Sequence, residues 1–330
     1  MLSLIIPVYN EAEVLPMLFR RLASAAPAWG MPWEAVLVDD GSTDESVTVI
    51  RAHMAAMPEL RLVRLSRNFG HQRALTAGLD HARGAAVVIL DADLQDPPEL
   101  IPELLARWRD GCQVVYAIRQ KRKEGLLKRL AYKGFYRVMR RISDLDIPLD
   151  SGDFCLMDRQ VVDTLRLDMP EHVRFVRGLR TYVGFRQEGI PYARERRQAG
   201  KPKYTFRKLM GLAFDGIFGF SLMPLRLASY TGFLIAIPSF LTGVFFVIHR
   251  IFNFKFLGYS PTDTPGLASL AVGLFFLGGV VLIMLGIIGE YLGRIYLEVK
   301  RRPVYIVAGV EGRPADDTSV QLSDTVDHTG

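Results

Sequence analysis

Cysteine is nearly absent from this chain: among 330 residues there are only Cys112 and Cys155. They form no zinc-ligand or redox motif, which excludes a disulfide-stapled fold and fits a reduced, cytosolic setting. No G-x-G-x-x-G follows the first apolar run and no G-x-x-x-x-G-K-[ST] occurs anywhere, which argues against a dinucleotide-binding dehydrogenase and a P-loop nucleotidase. The formal net charge is +6. It comes without a helix-turn-helix, zinc-finger or RNA-binding signature, so lipid headgroups and phosphate-rich substrates, not nucleic acid, are the expected partners. The start, Met1–Pro7, lacks the basic flank and the long apolar run of a signal peptide. It reads as a buried strand.

Charge itself is missing from two stretches. Leu227–Ile248 and Gly266–Ile288 contain no Asp, Glu, Lys or Arg, and each is long enough to cross a hydrocarbon core of roughly 30 Å. Two transmembrane helices are expected there. Lys201, Lys203, Arg207, Lys208 and Arg226 precede the first, and Arg294, Lys300, Arg301 and Arg302 follow the second. Only Arg250 and Lys255 lie between them. The positive-inside rule then puts both termini in the cytosol, with the chain crossing the cytoplasmic membrane twice. Apolar residues from Phe206 to Phe218 fit a helix lying in the interface, and the basic stretch Lys121–Arg141 fits either a solvated surface helix or an element near anionic lipid. Gly273, Gly278, Gly279, Gly286 and Gly289 permit close helix packing, within the hairpin or between copies in a homo-oligomer. The expected partition is a cytosolic domain over 1–204, an interfacial helix over 205–225, a membrane hairpin over 226–292 (spans at about 227–248 and 266–288), and a cytosolic segment over 293–330 with a disordered polar tail.

The charged half alternates strand and helix patterns. Strands are expected at Leu2–Val8, Ala35–Val38, Leu60–Leu65 and Ala85–Leu90, with helices at Glu11–Ala25, Ser42–Ala55 (capped by Ser42) and Gln72–Ala82. This is an α/β pattern, a mostly parallel sheet with helices on both faces, in which ligands gather at the carboxyl ends of the strands. Polar clusters stand at four such ends: Pro7-Val-Tyr9-Asn-Glu11, Asp39-Asp40-Gly41-Ser42, Arg67-Asn-Phe-Gly70 and Asp91-Ala92-Asp93-Leu-Gln95. Asp91 and Asp93 flank one residue, a spacing that suits a hard divalent cation shared with a diphosphate.

These motifs resemble the family 2 glycosyltransferases of the GT-A, Rossmann-like fold. With Asp150-Ser-Gly-Asp153-Phe154, Lys201-Pro-Lys203-Tyr204 and the two spans, the chain resembles more narrowly the polyprenyl-phosphate glycosyltransferases, such as bacterial bactoprenol glucosyltransferases and dolichyl-phosphate mannose synthase. The resemblance implies transfer, with inversion, of a sugar from a nucleotide sugar (UDP-glucose preferred) to polyprenyl phosphate at the cytosolic face of a bilayer. It implies that Pro7, Tyr9, Glu11 and Asp40 contact base and ribose, that Gly70 lets backbone approach the nucleotide, that Ala92 is among the nucleotide-sugar-binding residues, and that Asp91, Asp93 and Gln95 surround Mg²⁺ or Mn²⁺. Arg119 and Lys203 would meet phosphate oxygens, which suits their charge. Asp93 and Asp153 carry the expected catalysis. Asp153 stands where the family has a candidate base, yet a phosphate monoester with its second pKa near ~6 is already largely ionised at neutral pH. Positioning of sugar or acceptor is therefore the role expected of Asp153. Two departures from the family pattern fall near the acceptor side: Cys155 where relatives often carry a basic residue, and Lys201 before Pro202-Lys203 where many carry a small hydroxyl. A processive polysaccharide synthase would show Gln-x-x-Arg-Trp, and Val176–Tyr182 has neither the Gln nor the Trp in place. A non-catalytic nucleotide-sugar binder would not need Asp91, Asp93 and Asp153 together.

Overall fold

The structure, a computed structural model, describes residues 1–119, 151–169, 171–172, 174–192, 223–252 and 267–312. Its core is one eight-stranded sheet made of β1 (Leu2–Val8), β2 (Trp33–Asp39), β3 (Leu60–Leu65), β4 (Ala86–Ile89), β5 (Val114–Arg119), β6 (Ser151–Asp158), β7 (Gln187–Tyr192) and β8 (Val307–Glu311), in the order β7-β5-β6-β4-β1-β2-β3-β8. Strands β4, β1, β2 and β3 run parallel, as the strand–helix alternation requires. β6 enters antiparallel between β4 and β5, and β5 pairs parallel with β7.

Alternate residues of β1 show how the sheet is covered. Leu2, Leu4, Ile6 and Val8 join a core cluster with α1 (Leu15–Ala25), α2 (Ser46–Met54) and α4 (Ile101–Arg109), while Ile5 faces the clusters under α3 (His71–His81), α5 (Arg159–Asp163) and α6 (Val176–Tyr182). Both faces are thus dry, so the central strands are mostly apolar on both faces instead of alternating, with Ser3 and Arg61 as buried polar exceptions. At the amino ends of the strands, Ser3 Oγ donates to Glu34 at 2.6 Å and Arg61 pairs with Glu34 at 2.9 Å, a buried network that pins that end shut. The open end is the other one.

Two helices start later than their sequence patterns predict, for one reason. The amides of Asn10, Glu11 and Ala12 donate to Ser42 Oγ (3.0 Å), Ser46 Oγ (2.9 Å) and Asp44 Oδ2 (3.1 Å). The loops after β1 and β2 are therefore welded together by side chains. Residues from Glu11 form a turn before α1 begins at Leu15, and Ser42 is occupied with Asn10 instead of capping α2. Asp44, accepting from the Ser46 amide at 3.0 Å, closes the turn before α2.

Beyond the domain lie α7 (Met223–Phe252, 30 residues) and α8 (Leu267–Val299, 33 residues). Among the described residues one segment, Phe276–Val299 of α8, is both long and apolar enough to cross a membrane, and none of it is buried; the apolar run of α7, Leu225–Leu241, is shorter. The segment in α8 ends further along the chain than the expected 266–288. After α8 the chain turns at Arg301 (φ 46°) and returns to the sheet as β8, antiparallel to β3. The expected boundary at 204 therefore does not close the α/β domain: residues 307–311 belong to its sheet. The expected basic element at 121–141, the interfacial helix at 206–218, Lys203 and the tail after Gly312 lie outside the described residues.

Candidate active site

The carboxyl ends of β1, β2, β3 and β4 meet at the open edge. β6 contributes from the opposite direction. Because it is antiparallel to β4, with Cys155 opposite Ile89, its first residues lie beside the chain leaving β4. This brings Asp153 next to Asp91 although their numbers differ by 62.

Two cations join them. Arg177, on the first turn of α6, donates from Nε to Asp153 Oδ1 at 2.9 Å and from Nη2 to Oδ2 at 3.4 Å. His71, the first residue of α3, places Nε2 3.3 Å from Asp153 Oδ2 and 3.9 Å from Asp91 Oδ1. The proton on Nε2 is assigned from these acceptors. Burial by itself pushes Asp153 up, but the Arg177 charge and the His71 hydrogen bond and charge outweigh it and hold the carboxyl well below the ordinary carboxylate range. Burial likewise pushes His71 down, and the hydrogen bond to Asp153 with the charges of Asp91 and Asp153 overrides it, to about 9. Asp91 goes the other way. Burial lifts it to about 6 against the pull of His71, with Asp96, Asp153 and Asp93 adding like-charge repulsion.

The remaining expected residues take distinct places. Asp93 is buried and its Oδ1 accepts from the Gln95 amide at 3.1 Å, so Gln95 reaches the acidic turn through its backbone. Ala92 is buried between the two aspartates. Tyr9, at the end of β1, is exposed on the rim, and Pro7 and Glu11 are half-buried on either side of it. Asp40 is buried, and its two oxygens accept from the Phe69 amide (2.7 Å) and the Gly70 amide (2.9 Å). Burial raises its pKa more than these amides lower it. Asp40 therefore braces the loop that delivers His71. Gly70 has φ +101° with no atom within 4 Å of where a Cβ would stand, so backbone angle, not crowding, demands glycine here. Arg119 ends β5 on the same side of the sheet. Lys203 lies outside the described residues.

His71 and Arg177 were not among the residues expected from sequence. His71 directly follows the Arg67–Gly70 cluster, a position that offered the only local signal. Arg177 was within reach of attention only as part of Val176–Tyr182, and nothing in the sequence ties that stretch to Asp153.

Among the described residues no three acidic, histidine or cysteine side chains are placed to cage a metal by themselves. The set fits a different arrangement. A small hard cation takes one or two carboxylates and completes its shell with water and substrate phosphate, and Asp91 with Asp93 offers such a pair in a patch of excess negative charge.

The pattern described as "Glycosyl transferase family 2" matches residues 3–166. An uncharacterised glycosyltransferase of Bacillus subtilis, YkcC, is 44 % identical over 315 residues, covering 94 % of this chain and 95 % of that one. The chain is a family 2 glycosyltransferase. The bactoprenol glucosyl transferase of Shigella phage SfII is 41 % identical over 308 residues, covering 93 % of this glycosyltransferase and 97 % of the phage protein. Among solved structures, a mannosyltransferase from Pyrobaculum calidifontis in complex with GDP-Man and Mn²⁺ aligns with a TM-score of 0.46 at 18 % identity, covering 91 % of this chain and 87 % of that one.

Proposed function

We propose that this glycosyltransferase moves glucose from UDP-glucose to a polyprenyl phosphate at the cytosolic face of a membrane, with inversion at the anomeric carbon. The observation that carries the reading is Asp153, clamped by Arg177 and His71 beside Asp91, in a chain whose α8 is apolar enough to lie in a bilayer. The name of the phage relative supports the lipid acceptor and the glucosyl group. In this reading 227–248 and 266–288 form a two-helix hairpin that holds the domain against the lipid surface, with both chain ends cytosolic.

Tyr9, Glu11 and Pro7 line the base and ribose. Asp40 acts one step back, by fixing the Gly70 loop along which the nucleotide lies. Asp91 and Asp93 face the diphosphate end of the donor and would hold the divalent cation there, with Arg119 and Lys203 on phosphate oxygens. Mg²⁺ or Mn²⁺ bound at Asp91 and Asp93 supplies charge neutralisation for that diphosphate. An acceptor phosphate oxygen forms the new bond to the anomeric carbon while the bond to the nucleoside diphosphate breaks, and the electron pair leaves with the diphosphate. No side chain needs to take a proton from an acceptor that is already ionised. Asp153, fully ionised and held at two oxygens, orients the sugar or acceptor, and the positive charges of His71 and Arg177 stabilise charge passing through the site.

The test is transfer of radiolabelled sugar from UDP-glucose to chloroform-extractable lipid in membranes supplemented with polyprenyl phosphate. Label should appear in lipid with the native chain, and be absent with Asp93→Ala or after chelation of divalent metal. Label in a polymer instead would favour a processive synthase. No lipid label from UDP-glucose, with label from another nucleotide sugar, would overturn the glucosyl assignment.

A further inference from the structure

The end of α8 touches the loop that carries the active-site arginine. Glu298, in the last turn of α8, accepts from the His172 amide at 2.8 Å and faces His172 Nδ1 at 3.0 Å, while His172 Nε2 faces the Arg302 carbonyl just past the helix end. His172 thus sits between the end of the apolar helix and the turn that follows it. Shortly after His172 the same loop is held from the other side. The Val176 amide donates to Gln72 Oε1 at 3.0 Å, next to His71, and Arg174 Nη1 donates to the Leu165 and Met169 carbonyls. Arg177, the ligand of Asp153, follows at once.

The strap after α8 is anchored independently. Tyr305 donates to Asp80 at 2.6 Å, the Ser66 amide donates to the Ile306 carbonyl at 2.9 Å, β8 completes its ladder with β3, and Glu311 pairs with Arg51 at 2.6 Å. These contacts fasten the strap to the sheet beyond the turn at residues 300–304. The Glu298–His172 contact joins the helix side of that turn to the active-site loop.

We propose that Glu298 and His172 are positioning residues for the transfer step: they fix the direction of α8 relative to Arg177, and through Arg177 the alignment of Asp153 with an acceptor phosphate presented at the lipid surface. The inference rests on the membrane-acceptor reading above. The pair is partly exposed, with side chains 20 % and 44 % accessible for His172 and Glu298, and pairs of that kind contribute little to folding. Its loss should therefore be felt in geometry before it is felt in stability. Misalignment matters most for an acceptor whose phosphate is held at a fixed height by its own lipid anchor, because such a phosphate cannot follow the site.

The experiment uses the full-length chain in proteoliposomes, with Glu298→Gln and His172→Ala made separately. Thermal unfolding and UDP-glucose affinity should match the native chain within about two-fold. kcat/KM for a long-chain polyprenyl phosphate in the bilayer should fall by about ten-fold or more, and that for a short, water-soluble prenyl phosphate by less than about three-fold. Equal losses with both acceptors would make the contact merely structural and overturn the proposal, as would unchanged transfer to the long-chain lipid. If the native chain itself transfers nothing to either acceptor, the membrane-acceptor reading falls, and this inference with it.

Discussion

Replacing Asp153 by Asn separates positioning from base catalysis. The substitution keeps size and removes the charge that both Arg177 and His71 face, at 2.9 and 3.3 Å. The new amide nitrogen is a donor and must point at one of two donors, so one clamp is lost outright. Both partners are partly accessible, with side chains 28 % and 30 % exposed, so water offsets some of the loss and the stability cost is about 2 kcal/mol. As a base Asp153 is badly matched. Its carboxyl lies below 3.8, whereas the acceptor's second ionisation is near ~6, so handing over that proton is uphill by more than about 3 kcal/mol. Positioning loss should lower turnover on the order of 10²-fold. The assay is the initial rate of lipid labelling for native chain and variant from about pH 6 to about pH 8.5. The ratio should not rise toward the upper end, since the acceptor ionises without help in both; it should if anything fall there, because His71 without the Asp153 charge loses its proton at lower pH. A ratio that returns toward one at the upper end would show that hydroxide or an ionised acceptor replaces a missing base, and would refute the positioning role.

His71→Gln should destabilise the domain in a pH-dependent way. The pKa of His71 is raised from 6.5 to about 9, so its contribution is fully present below about pH 6.5 and is lost as pH rises through about 9. Two and a half units correspond to about 3 kcal/mol at most, and a ring 30 % exposed brings this to roughly 1–2 kcal/mol. Thermal unfolding should show the gap between variant and native chain at pH 6.5 shrinking by pH 9.5, and an unchanged gap would contradict the ion-pair account. Gly41→Ala should cost more than Gly70→Ala. At Gly41 a Cβ would stand 2.6 Å from backbone atoms of Arg67 and Asn68 on top of φ +70°, whereas at Gly70 only the φ of +101° is strained, worth about 1–3 kcal/mol; denaturation midpoints check the order. A fragment of residues 1–205 should be less stable than its sequence pattern predicts. It lacks β8 and uncovers the edge of β3, and Tyr305 and Val307 no longer pack on the cluster of Val36, Val63, Leu65 and Phe69. Appending residues 303–312 through a flexible linker should restore solubility and raise the melting temperature, and no gain would mean that the strand is dispensable.

The sequence by itself determined the repeating part of this protein. Leu2–Val8 and Leu60–Leu65 were legible because a parallel strand covered on both faces is predominantly apolar, although Ser3, Arg61 and Arg64 interrupt the two runs. Asp91 and Asp93 could be picked out as candidates because they stand one residue apart just past the end of such a strand. The absence of charge from 227–248 and 266–288 was equally local; α7 contains the first stretch and α8 the second from Leu267 onward, and among the described residues only a segment of α8 is long and apolar enough to cross a membrane. What sequence patterns missed depends on contacts between distant residues. The late starts of α1 and α2 follow from a weld between Asn10–Ala12 and Ser42–Ser46. The return of Val307–Glu311 to the edge of β3 cannot be seen in five residues of modest apolarity after a long helix. The clamp on Asp153 needs an antiparallel strand, a helix start after Gly70 and a loop from residue 169 onward to converge on one carboxylate. Local pattern records which residues a strand or helix can bury, whereas the ionisation of Asp91, His71 and Asp153 is set by which charges the tertiary fold brings within a few ångströms, and that only the three-dimensional structure decides.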